Sequence, residues 1–249
     1  MRRRFFVDHF ESSSAALTGD AADHLGRVLR AETGQLYELS DGERIWLART
    51  ERISLSRNGK SRIEFALIES IPAPAPRLQI ELLISLVKFD RFEWCLEKAT
   101  ELGAAKIVPL ASARTDKPLI AAASKRHDRW KKILLESAQQ SRRLRPPQIA
   151  GAIAPGEAFA ASSAAITIIL SERPGAPSLR TVLGGVASLN ESKPITVSLA
   201  IGPEGGWTEP EFAAAHAAGF AEASLGQNIL RAETAVIAAL SVLNFALAD

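Results

Sequence analysis

Pro72-Ala73-Pro74-Ala75-Pro76 leaves no room for a helix or a central strand. Each proline fixes its own φ angle and turns the residue before it away from the helical region. The run is a stiff, extended spacer, and the chain changes character across it. Two domains are therefore predicted, residues 1–71 and 77–249.

Ahead of the spacer the sequence reads as short strands. Gln35–Leu39, Asp41-Gly42 and Arg44–Arg52 predict a hairpin, because Asp-Gly accepts the positive φ angles of a tight turn. Asn58-Gly59 predicts a second turn, Arg62–Ile68 alternates like a strand, and Asp20–Leu29 predicts a short helix. Together they predict a small β-barrel, an architecture common both in RNA-binding modules and in purely structural parts.

Beyond the spacer, the apolar runs Leu78–Val87, Ile107–Ala111, Ile166–Leu170 and Ile195–Ile201 alternate with helical patterns. Strands apolar on both faces belong to parallel sheets covered on either side by helices, which predicts an α/β domain. Phe92, Cys95, Leu96, Ala99 and Leu102 recur at helical spacing and Gly103 stops them, so Cys95 is expected in the core rather than as a nucleophile. A lone cysteine excludes an intramolecular disulfide framework, and His9, His24, His127 and His216 are scattered, so no metal site is expected. A reducing, cytoplasmic location is the default. No apolar signal segment follows Arg2-Arg3-Arg4, and the longest apolar stretch, Ala235–Leu243, is too short to span a bilayer. A soluble protein without membrane partners is expected.

Two loops carry the chemistry. The strand Ile195–Ile201 runs into Gly202-Pro203-Glu204-Gly205-Gly206, and ligands of open parallel sheets bind beyond such carboxyl ends. Thr208–Glu211 reads as a capping box opening the next helix, which Gly219 closes. The loop lacks the lysine of a phosphate-binding Walker loop and the spaced glycines of the dinucleotide fingerprint. The second loop leaves a short strand, Glu222–Leu225, and passes through Gly226 and Ile229-Leu230-Arg231-Ala232-Glu233-Thr234 into an apolar helix, Ala235–Leu247. A helix apolar nearly all round is expected to be buried, under the sheet or against another subunit. Taken singly, each loop also fits an ordinary strand-to-helix turn or a structural ion pair.

Charge is uneven. Between Ser112 and Pro147 ten Lys or Arg residues oppose three acidic ones, and Arg2, Arg3, Arg4, Arg27 and Arg30 form a second basic group. A solvated helix face accounts for such a run, and so does a polyanionic partner such as RNA.

Ile201–Gly206 combined with Leu225-Gly226 and Ile229-Leu230-Arg231-Ala232-Glu233-Thr234-Ala235 closely resembles the RsmE family, ribosomal RNA small-subunit uridine-N3 methyltransferases of the SPOUT superfamily. His24-Leu25-Gly26-Arg27-Val28-Leu29-Arg30 resembles the family's N-terminal signature. Lys88 and Asp90-Arg91-Phe92-Glu93-Trp94 through Lys98-Ala99-Thr100-Glu101-Leu102-Gly103 resembles its first catalytic-domain helix. Gln139-Gln140-Ser141-Arg142-Arg143 matches a basic segment in which the family usually has glycine at the place of Arg142. The resemblance covers almost the whole chain.

It implies a PUA-like N-terminal barrel, a parallel sheet whose C-terminal segment is threaded as a trefoil knot, and a homodimer that binds S-adenosylmethionine. The cofactor residues it implies are Leu170, Ser171, Glu172, Ile201, Gly202, Pro203, Gly205, Gly206, Leu225, Gly226, Ile229, Leu230 and Thr234. Arg231 is the expected stabiliser of charge developing on the uracil oxygens, and Glu204 orients the loop or a substrate group. Arg27, Arg30, Lys88, Arg91, Arg114, Arg142, Arg143 and Arg145 are the expected contacts to ribosomal RNA or the small ribosomal subunit. Two alternatives stand beside this: a non-catalytic RNA-binding assembly factor, and a SPOUT methyltransferase acting at another RNA position.

Overall fold

The structure, a computed structural model, describes residues 3–56, 60–73, 76–185 and 194–248. Arg2, the predicted turn at Asn58-Gly59, and Pro74-Ala75 of the spacer lie outside the described residues. The chain forms two compact units, Met1–Ala75 with Ala138–Pro146, and Pro76–Ser137 with Pro147–Asp249. They part beside the prolines, but the range 77–249 predicted for the second domain includes residues 138–146, which pack with the first unit.

In the first unit the strands are β1 (Arg4–Phe6), β2 (Ser14–Thr18), and, after the short helix α1 (Gly19–Asp23), β3 (Leu36–Ser40), β4 (Ile45–Ser54) and β5 (Arg62–Ile71). They form a sheet in the order β1-β3-β4-β5-β2, parallel only between β1 and β3. Among the described residues the edge strands β1 and β2 do not pair with each other. The β3–β4 hairpin turns where Asp-Gly predicts it, and Asp41 Oδ1 accepts the amide protons of Glu43 (3.0 Å) and Arg44 (2.7 Å). Phe5, Leu17, Leu25, Leu39, Ile63 and Phe65 fill the core. The helix predicted over Asp20–Leu29 is interrupted: α1 passes into a π turn, His24–Val28, in which Leu29 N–H donates to His24 O. Gly26 in that turn leaves room for Leu55, whose Cδ2 would stand 2.6 Å from an added β-carbon.

Residues 138–146 join this unit through polar contacts that no local sequence pattern announces. Ser40 Oγ donates to Leu144 O (2.6 Å). Arg4, counted with the N-terminal basic group from sequence, is instead buried, pairs with Glu38 (2.9 Å) and donates to Arg142 O. Arg142 has a φ of 55°, in the left-handed region that glycine adopts without strain.

The second unit comprises β6 (Leu78–Ser85), α2 (Phe89–Glu101), β7 (Ala104–Leu110), α3 (Lys117–Gln140, ending in residues assigned to the first unit), β8 (Gln148–Ile149), α4 (Pro155–Ala161), β9 (Ile166–Leu170), α5 (Leu179–Gly184), β10 (Ile195–Ile201), α6 (Glu209–Ala217), β11 (Ala221–Ala223) and α7 (Ala232–Leu247). The sheet order is β11-β9-β10-β6-β7-β8, with every pairing parallel. Alternate residues of one strand serve opposite layers. Leu82 and Ile84 pack towards α2, α3 and α7, whereas Leu83 packs with Phe159 of α4 and Phe212 of α6. This division explains the continuous apolar runs. β11 stops at Ala223, two residues short of the predicted Leu225, because its ladder ends where Ala223 meets Leu170.

α7 buries Ala235, Val236, Ala239, Leu240 and Leu243 on one side. That side packs with the sheet strands, while among the described residues nothing covers the other side, where Val242 is exposed and Phe245 is 89% exposed. Among the described residues no helix is long and apolar enough to cross a membrane, and no cluster of metal-ligating side chains occurs.

Candidate active site

Because β11, β9 and β10 are parallel neighbours, their carboxyl ends open on one edge of the sheet. The segments that follow them line a single cleft of about 630 Å³. Such a volume lies within the range of small-molecule sites, about 300–1,000 Å³. The cleft gathers Leu170, Ser171, Glu172, Ile201, Gly202, Pro203, Glu204, Gly205, Gly206, Leu225, Gly226, Ile229, Leu230 and Arg231, all singled out in the sequence.

Thr234 is the exception among the expected cofactor residues. It lies in the exposed part of the first turn of α7, and Ala232 and Ala235, three residues apart on one helical face, line the cleft instead. Of the expected RNA contacts only Arg91 and Arg114 reach this cleft; Lys88 is exposed just before α2. Arg27, Arg30, Arg142, Arg143 and Arg145 belong to the first unit. There Arg27 is held by Asp23 (2.7 Å) and by Ser56 O (3.0 Å), and its hydrogen bond, with a second from Ser61, lowers the Asp23 pKa. Arg143 is largely withdrawn from water, which, with the charge of Arg145, lowers its pKa to about 10.

The loop after β10 is braced by long-range contacts. Trp207 is buried, its Nε1 donates to Leu170 O (3.0 Å), and its indole lies against Gly202, where a β-carbon would be 3.1 Å from the ring. Arg114 Nη1 donates to Gly205 O (2.6 Å), and its stem would stand 3.2 Å from a β-carbon at Gly205. Glu204 pairs with Arg91. Gly206, at φ 70°, turns the chain back so that its amide reaches Pro203 O (2.8 Å). The capping box closes the far end of the loop. Glu211 accepts from Thr208 N (2.8 Å) and Thr208 Oγ1 (2.7 Å), and its other oxygen accepts from Ala113 N (2.9 Å), beside Arg114.

The loop after β11 is held mainly at its ends. Ser224 Oγ bonds both the amide and the carbonyl of Gly226 (3.2 and 3.0 Å), and Leu225 and Leu230 pack on the core. Gln227, Asn228 and Ile229 are exposed, and Arg231 is exposed without a side-chain partner among the described residues. Cys95 is buried in the core that α7 also packs on. Desolvation, with the charge of Glu233, pushes its thiol up to about 12.

Sequence reasoning did not find Arg173, Trp207 or Phe212, which also line the cleft. An aromatic directly after a glycine loop is a usable sign for Trp207. Nothing local marks the other two.

A family model for an RNA methyltransferase domain matches residues 74–244. The "Ribosomal RNA small subunit methyltransferase E" of Synechocystis is 32% identical over 93% of this chain and 73% of its own length. The crystal structure of the protein of that name from Neisseria gonorrhoeae, bound to S-adenosyl methionine, superposes with a TM-score of 0.82 at 30% identity, covering 98% of each chain. A Legionella pneumophila structure in complex with the same cofactor gives 0.83 at 27% identity, covering 99% of this chain and 98% of its own.

Proposed function

The chain belongs to the ribosomal RNA small subunit methyltransferase E family, and from that premise we propose that it transfers a methyl group from S-adenosylmethionine to N3 of a uridine in 16S ribosomal RNA. The observation that carries the reading is the convergence of the loops after β9, β10 and β11 on one cleft with Arg231 at its mouth.

The residues present fit the cofactor. Gly202 and Gly205 are pressed against Trp207 and Arg114, so backbone rather than side chain faces the cleft along this wall. Leu170, Leu225 and Leu230 supply apolar surface for an adenosine group, and the carbonyls and amides of the loops supply polar partners. When bound, S-adenosylmethionine supplies an electrophilic methyl group on a sulfonium centre.

The chain's own work is orientation and charge. Uracil N3 loses its proton as it is methylated, and the negative charge spreads onto the neighbouring oxygens. Arg231, whose guanidinium has no side-chain partner among the described residues, stabilises that charge. Glu204, tied to Arg91, orients the glycine loop. A carboxylate beside the sulfonium would stabilise the reactant more than the transition state.

In this reading Arg27, Arg30, Arg142, Arg143 and Arg145 of the first unit, with Lys88, Arg91 and Arg114 of the second, contact phosphates. They position the RNA without reading its sequence. The N-terminal sheet acts as a PUA-like barrel, the C-terminal segment is threaded as a SPOUT trefoil knot, and the protein works in the cytoplasm as a homodimer. The uncovered side of α7, with Val242 and Phe245, supports the dimer, since an apolar surface of that kind is stabilised by a second copy.

Titration calorimetry of the folded protein with S-adenosylmethionine tests the cofactor site. Binding at one site per chain is expected, and absence of binding would contradict the reading.

A further inference from the structure

Two aromatic rings line the cleft, Trp207 and Phe212, and neither offers a free face. Trp207 is 7% exposed and lies against Gly202, and Phe212 is 5% exposed. Phe212 is covered by Arg173, whose Cζ stands 3.7 Å from the ring centroid, a stacking distance. The arginine is fixed from three directions. Its backbone amide donates to Ser171 Oγ (3.1 Å), its guanidinium rests on Phe212, and its Nη2 pairs with Glu209 at the start of α6. About a third of the side chain stays accessible, and the residue lines the cleft.

The other arginines of the cleft are used differently. Arg91 is paired with Glu204, Arg114 is turned onto Gly205 O, and among the described residues Arg231 has neither an ion-pair partner nor a ring behind it. Of the four arginines lining the cleft, Arg173 alone combines, among the described residues, a ring behind it with a carboxylate that offsets its charge. What such a group presents is a rigid, flat surface more than a free cation. Unstacked bases are received on aromatic rings or on guanidinium planes.

Resting on the methyltransferase reading, we propose that the Arg173 guanidinium, backed by Phe212, is the platform on which the target pyrimidine stacks when it enters the cleft. Arg173 is then a substrate-binding residue and Phe212 a positioning residue acting through it.

Two variants test this. Arg173→Lys keeps a charge within reach of Glu209 and removes the plane, and Phe212→Leu keeps apolar volume and removes the backing ring. Fluorescence anisotropy, with S-adenosylmethionine saturating, compares a short oligouridylate with the same backbone lacking bases. The wild type is expected to prefer the oligouridylate by about tenfold, and both variants to lose most of that preference. Cofactor affinity measured by calorimetry is expected to stay within twofold, and kcat/KM on ribosomal RNA to fall about tenfold. A preference unchanged in both variants, or absent from the wild type, overturns the proposal. So does a fall in cofactor affinity matching the loss in RNA, which would make Arg173 a cofactor residue. Failure of the wild type to bind cofactor at all would count instead against the methyltransferase reading.

Discussion

The loop after β10 is braced along most of its length, by Trp207 on Gly202, Arg91 on Glu204 and Arg114 on Gly205, and Glu211 ties its far end to Ala113. The loop after β11 is anchored by Ser224, Leu225 and Leu230, and between the anchors it exposes Gln227, Asn228 and Ile229. The difference assigns separate duties to two walls of one cleft. A braced wall presents preorganised backbone groups to a small ligand and needs little ordering on binding. The open wall leaves its middle exposed, and it carries Arg231, which has no side-chain partner among the described residues.

If the open loop carries the charge-stabilising group, the largest effect falls there. Arg231→Ala should lower single-turnover methyl transfer by about 100-fold or more, with RNA affinity changed less than threefold in a filter-binding assay. Equal losses in both would remove Arg231 from catalysis and blur the division between the walls. In the braced loop, Gly202→Ala puts a β-carbon 3.1 Å from the Trp207 ring. Cofactor affinity by calorimetry is expected to fall about tenfold, whereas Gln227→Ala across the cleft should leave it within twofold. Arg114→Ala removes a charge-assisted hydrogen bond at an exposed site, for a loss of about 1 kcal/mol. A melting temperature lower by about 3 °C is expected, with only a few-fold loss of cofactor affinity.

The smallest effect tests where the openness ends. Cys95 packs under the start of α7, and burial, then the charge of Glu233, raises its thiol from 9.0 to about 12. The folded protein therefore holds this proton more tightly than the unfolded chain does. Its contribution to stability is complete below pH about 9 and is lost as pH rises from there through about 12. Alkylation at pH 8 should label Cys95 only after unfolding, and denaturant midpoints should decline above pH 9. Rapid labelling of the native protein would mean that the loop and the start of its helix loosen together.

The braced loop was readable in its glycines because a buried strand running into several of them leaves few alternatives, and Thr208 and Glu211 announce the helix beyond. What holds it was not readable. Arg91 and Arg114 are more than 90 residues away in sequence from the partners they meet at the cleft, and their charge read only as phosphate contacts. Thr234 was drawn into the site by its place in a motif, and it stands exposed in the first turn of α7, outside the residues that line the cleft. Residues 138–146 read as a basic run of the second domain, yet contacts with Arg4, Glu38 and Ser40 bind them to the first. Arg142, at a place where the resembled family usually has glycine, left the local backbone geometry open, and the structure puts it in the left-handed region. In α7 the composition gave an apolar helix, and which side stays uncovered depends on tertiary packing.

The central claim is that these two walls form one methyl-transfer site for a uridine of small-subunit ribosomal RNA. Incubating the purified protein with S-adenosylmethionine and small subunits lacking the modification, then analysing the nucleosides by mass spectrometry, tests it directly. Appearance of N3-methyluridine, abolished by Arg231→Ala, is the predicted result. RNA binding with no new methylated nucleoside, or methylation at a ribose or another base, would contradict it.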